Sequence, residues 1–151
     1  MQSHLALPRR PLRLAIAVAV TGLLVAVAAG SALAATRKPV VIATKSAALG
    51  KRVLATRSGL TLYSLSAERR GRFICTDSAC LSFWHPLTVA KGTIPTGASH
   101  LGTIARPGSQ RRQVTFRGAP LYTFYLDHKR GDAGGEGFKD VGTWHAASPG
   151  R

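Results

Sequence analysis

Acidic residues are scarce: the 151-residue chain carries six Asp and Glu against 21 Lys and Arg, a formal net charge of +15 with histidine neutral. Such an excess favours anionic partners through long-range attraction, and its plainer alternative is a solubilising surface charge. The basic residues are scattered and no recognised nucleic-acid motif is present, which makes nucleic acid a weaker candidate than wall polymers or lipid head groups, with no specific recognition expected. Cysteine is nearly absent, with only Cys75 and Cys80. Four residues between them fit neither the two-residue redox spacing nor a strong zinc pattern, and there is no second pair. The chain has no Gly-x-Ser-x-Gly elbow, no His-Glu-x-x-His, no haem-attachment motif and no phosphate-cradling loop. Nothing calls for a cofactor, and the balance is against an enzyme. An acid-base group of Tyr122, Asp127 and His128 would need the fold to bring neighbours in sequence into one cleft.

Apolar residues concentrate first at the N-terminal end. Arg9, Arg10 and Arg13 precede the run Leu14 to Ala29, and the small-residue segment Ser31-Ala32-Leu33-Ala34-Ala35 follows. This predicts a secretory signal over residues 1–35, cleaved after Ala34 or Ala35. The alternative is an N-terminal membrane anchor, since Leu14 to Ala35 is long enough to span a bilayer. No Cys lies near the cleavage region, so a lipid anchor is not expected. Removing 35 of the 151 residues leaves 116, enough for one domain with a modest core. Three of the 21 basic residues leave with the signal and all six acids stay, so the remaining charge is +12.

Beyond a linker or lead-in strand at 36–50, residues 51–151 read as a duplicated β domain. Gly59 matches Gly118, Leu62-Tyr63 matches Leu121-Tyr122, Leu65 matches Phe124 and Glu68 matches Asp127. A Trp-His pair closes each copy, at Trp84-His85 and Trp144-His145. Repeat one runs from about 53 to 89 and repeat two from about 112 to 148. In each copy a short apolar run meets a glycine-containing turn and then a longer alternating run: Val53 to Thr56 then Leu60 to Leu65, and Gln113 to Phe116 then Leu121 to Leu126. These predict two hairpins. Asp77 and Ser78 can cap a short helix through Phe83 that Pro86 stops. Lys91 to Gly108 reads as loop with one strand at Leu101 to Ala105. The expected fold is mainly β, a small single domain of two tandem β-β-x-β repeats, with a short helix near the cysteines.

The pattern Tyr122-x-Phe124-x-x-Asp127 resembles the Tyr-x-(Phe/Trp/Tyr)-x-x-Asp signature of bacterial exported proteins and lipoproteins grouped as the secreted repeat of unknown function. Gly59-x-Thr61-Leu62-Tyr63, Cys75 with Cys80, Trp84-x-Pro86-Leu87 and Gly142-Thr143-Trp144 support the resemblance over roughly residues 50 to 148. Glu68 stands where the first repeat of that family usually has Asp, and His85 replaces the first Pro of its Trp-Pro-Pro. The resemblance implies an envelope protein, secreted or extracytoplasmic, or membrane-anchored where the signal is retained. It carries no agreed activity.

An exported chain meets an oxidising compartment, where an even pair of cysteines forms a structural disulfide; a redox pair and two metal ligands are the alternatives. Tyr63, Glu68, Tyr122, Phe124 and Asp127 are the motif residues, with Trp84 and Trp144 in the core. Tyr122 and Phe124 share a strand face and read as a core stripe, while Asp127 heads a turn where it can accept a backbone N–H two or three residues ahead. Glu68, with one more methylene and a shorter turn, should do this less well. Metal candidates are His85, His128 and His145, which suit copper or zinc, and the acidic loop with Asp132 and Glu136, which suits calcium. Against the first, strand alternation turns His85 and His145 outward from their Trp neighbours. Against the second, Lys129, Arg130 and Lys139 supply local counter-charge, and a glycine-rich solvated loop is the favoured reading. The resulting expectation is an envelope-associated binding or structural module contacting an anionic wall polymer or membrane surface. Its rival is an extracytoplasmic metal-binding or redox accessory.

Overall fold

Apolar side chains of the two halves sort into two clusters, and the chain crosses between them repeatedly, at Leu62–Tyr63 and at Leu121–Tyr122 among other places. The computed structural model describes residues 38–69 and 71–150, so the signal or anchor reading lies outside the described residues. Strands β1 (Val41–Ser46) and β2 (Lys51–Thr56) form an antiparallel pair. Then come β3 (Tyr63–Leu65), helix α1 (Ser78–Phe83), β4 (Trp84–Pro86), β5 (Thr88–Val89), β6 (Leu101–Ala105), β7 (Arg112–Phe116), β8 (Ala119–Pro120), β9 (Tyr122–Phe124) and β10 (Trp144–Ala146). The second hairpin sheet runs β5-β7-β6 with β8 on β7, and the central sheet runs β10-β3-β9-β4.

That central order interlocks the repeats. Tyr63 pairs with Tyr122 at its middle. The Trp84 strand of repeat one pairs with β9 of repeat two, and the Trp144 strand of repeat two pairs with β3 of repeat one. Flanking hydrogen bonds cross in the same way. Ala147 N–H donates to Leu62 O and Leu54 N–H to Ala147 O, while Leu87 N–H donates to Leu121 O and Val114 N–H to Leu87 O. A strand left without its partner would expose unpaired backbone groups, so neither repeat satisfies its own ladder.

The expected strands Leu60 to Leu65 and Leu121 to Leu126 are each shorter than the sequence suggested. Tyr63 and Leu65 face one core with Trp84, Tyr122, Phe124 and Trp144. Leu62 and Leu121 face the other, with Val41, Leu54, Val89, Val114 and Phe116. At Leu62 and Leu121 the chain leaves the hairpin ladder for the central sheet, so one alternating run serves two sheets. In the first core the indoles of Trp84 and Trp144 stack with centroids 3.7 Å apart, and Tyr63 and Tyr122 meet them edge-on. A Cβ at Gly135 would lie 2.7 Å from the Trp84 ring, so only glycine lets this loop close over the stack. Helix α1 is capped by Asp77, whose Oδ1 accepts from Cys80 N–H, and Cys75 and Cys80 form the disulfide.

Candidate functional site

The motif residues meet across the repeats. Tyr63 of the first copy donates its hydroxyl to Asp127 Oδ2 of the second, at 2.5 Å, and Tyr122 of the second donates to Glu68 Oε2 of the first, at 2.8 Å. Both acids are buried. Their free oxygens accept from loop backbone: Glu68 Oε1 from Ile74 and Cys75 N–H, Asp127 Oδ1 from Gly134 N–H. The expected local turn bond of Asp127 is replaced by one seven residues ahead, because the tyrosine of the other repeat fixes where the carboxyl sits. Contrary to the expectation for Glu68, the longer acid gathers more donors.

Burial, reinforced by the hydrogen bond from the phenol to Asp127, pushes Tyr63 above its ordinary range. Burial first and the Glu68 charge second push Tyr122 up, and Arg106 partly offsets them. Arg106 and Gln113 belong to this network and the motif reading did not find them. Arg106 Nη1 donates to Gln113 Oε1 and Tyr122 Oη, Nη2 donates to Cys75 O, and Gln113 Nε2 donates to Leu121 O. The one available signal was internal: Gln113 stands where the first copy has the apolar Val53. Every group on these two carboxyls is a hydrogen-bond donor from the protein itself, an arrangement that locks loops to strands.

The other candidate residues are dispersed. His85 and His145 are exposed, on β4 and β10, the two outer strands of the central sheet. His145 Nδ1 lies 3.0 Å from Glu136 Oε1, and Glu136 Oε2 accepts from Ala146 N–H. Burial would raise Glu136, but these two bonds together with the charges of Lys51 and His145 outweigh it and leave the carboxyl below its usual range. Asp132 Oδ2 accepts from His128 and Lys129 N–H, which hold it low, and Asp77 is held low by Cys80 N–H. Each of these acids is turned onto its own backbone. Among the described residues no three His, Cys, Asp or Glu side chains come together as a metal-binding group.

What the acids leave behind is a cationic surface. Residues 38–67 and 78–126 contain no Asp or Glu, so β1, β2, α1 and β4 to β9 carry none. Among the described residues the sole pairing of a base with a carboxylate is His145 with Glu136, and no Lys or Arg is in an ion pair. Two grooves differ in kind. One, beside the disulfide, is floored by Trp84 and lined by Phe83, Phe138 and Val141 together with Asp77 and Asp140. The other lies between the end of β2 and β5, and its lining holds Lys38 and Arg57 with no acid.

Residues 108–148 match the model of a family described as a secreted repeat of unknown function. The matched segment contains Tyr122, Phe124, Asp127 and Trp144, and the first copy lies outside it. No curated protein and no solved structure matches the chain.

Proposed function

We propose that this chain with its secreted repeat is an extracellular binding module that holds anionic material of the cell envelope through its hairpin sheets. The observation that carries the reading is the absence of any ion pair to Lys or Arg among the described residues. A cation without an internal partner keeps its field for an outside one, and segments free of acid add their fields rather than cancel them. The motif tyrosines and acids serve the scaffold in this reading. Their hydrogen bonds close the two repeats on each other, and the mainly β frame presents the basic strands outward.

Co-sedimentation with purified wall polymer and with anionic vesicles, over a range of salt, tests the proposal. Retention should fall steeply with added salt, because exposed charges are screened within a Debye length of ~8 Å at physiological ionic strength. Retention that ignores salt would contradict it.

A further inference from the structure

We infer that the groove between the end of β2 and β5 is a site for phosphodiester groups spaced along a polyol chain, an inference that rests on the proposed function and gives it a place. The groove is open to solvent, with a volume of about 630 Å³, and so takes a ligand along the surface rather than enclosing it. Lys38 and Arg57 supply its charge, and Thr56, Ser58 and Thr88 supply hydroxyls. A third cation stands behind the lining residue Thr88: Arg111 Nε donates to Thr88 Oγ1 at 2.9 Å and Nη2 to Thr88 O at 3.1 Å. Those two bonds orient the guanidinium and leave its other N–H groups to donate outward, in the planar fork that matches a phosphate. Thr56 Oγ1 and Ser58 Oγ share one hydrogen bond of 2.8 Å, so the pair retains one hydroxyl hydrogen for a ligand oxygen.

Val40, Leu87 and Val89 supply the apolar part of the lining. Apolar surface beside separate cations suits a flexible chain whose methylene faces lie between single negative charges. The groove beside the disulfide is unsuited to the same ligand, because Asp77 and Asp140 line it and repel phosphate. A glycerol-phosphate polymer of the wall and a phosphatidylglycerol headgroup share the required chemistry.

Titration calorimetry on the full chain separates these possibilities, with a glycerol-phosphate oligomer, phosphatidylglycerol vesicles and polyglutamate as probes. The groove variant is Lys38→Gln, Arg57→Gln and Arg111→Gln together. Its charge-matched control is Arg72→Gln, Lys129→Gln and Lys139→Gln, all at exposed positions outside the hairpin sheets. The groove variant should bind the oligomer at least about 30-fold more weakly than wild type, as loss of three charge-assisted contacts implies, and the control should stay within about 3-fold. A parallel loss on vesicles identifies the headgroup as a second source of the same ligand, and a loss confined to the oligomer identifies the wall polymer. Equal losses in both variants would overturn the groove while leaving the binding of anions intact. Polyglutamate bound as tightly as the oligomer would overturn the ligand class. Failure of the wild-type chain to bind any of the three probes would overturn the groove and the proposed function together.

Discussion

Around Glu68 the buried carboxyl accepts from Ile74, Cys75 and Tyr122, and Arg106 reaches that same phenol; around Asp127 it accepts from Gly134 and Tyr63 alone. The loop held by Glu68 is stapled by the Cys75–Cys80 disulfide, whereas the loop held by Asp127 is drawn in by glycine, with Gly135 N–H 3.4 Å from Tyr63 Oη. At the matching strand position one half has Gln113, bonded to Arg106, and the other has Val53 in the aromatic core. The two halves thus share a crossing pattern while its materials differ. A buried carboxyl can be satisfied by a longer side chain with more donors and a nearby cation, or by a shorter one with two donors. The second solution tolerates fewer losses, because each remaining donor carries a larger share.

The largest way to break both halves at once is to remove the stack they share. Phe124→Ala or Trp144→Ala should cost about 3–5 kcal/mol, as expected for a fully buried aromatic, read as the urea midpoint at constant m-value. A change confined to one half comes next. Arg106→Met leaves Gln113 Oε1 and Cys75 O without their donor, and should cost about 3 kcal/mol for two orphaned buried acceptors. Reducing the disulfide loosens only the Glu68 loop. Its short span places the loss at roughly 2 kcal/mol, measured as the shift of the urea midpoint with and without reductant.

Alkaline pH probes the two tyrosines together. Both phenols have folded-state values raised above the ordinary 10.0. Their contribution is complete below the unfolded value and is lost as pH climbs toward the raised folded values, since the unfolded chain then releases protons that the folded chain keeps. Stability should therefore fall above about pH 10, by up to roughly 1.4 kcal/mol per pH unit for each tyrosine. Tyr63→Phe and Tyr122→Phe should each remove one share of that slope in pH-dependent urea unfolding.

Much of the frame was legible in the chain itself. The matched spacing of Tyr63 and Leu65 against Tyr122 and Phe124 marked residues that share one core, and Asp77 before Ser78 announced the helix. The mainly β character and the Cys75–Cys80 bond followed from alternation and from an even cysteine pair. The exchange between copies was hidden, because a pattern within one repeat cannot say whose tyrosine meets whose acid. Strand ends were misjudged at Leu62 and Leu121 for a related reason: alternation of period two continues while the strand changes sheets. Arg106 carried no signal of burial, standing before Pro107-Gly108 in a segment that reads as loop. The groove was invisible because Lys38, Arg57 and Thr88 lie far apart in sequence and line one surface only after the hairpins fold.

The central claim is that the signature closes the scaffold and the hairpin groove does the binding, and Asp127→Ala tests it most directly when melting temperature and affinity for the glycerol-phosphate oligomer are measured on the same sample. The substitution orphans the Tyr63 hydroxyl and Gly134 N–H, so stability should drop by about 1–3 kcal/mol, with affinity unchanged wherever the variant remains folded. An unchanged melting temperature with binding abolished would contradict the account and make the signature itself the site.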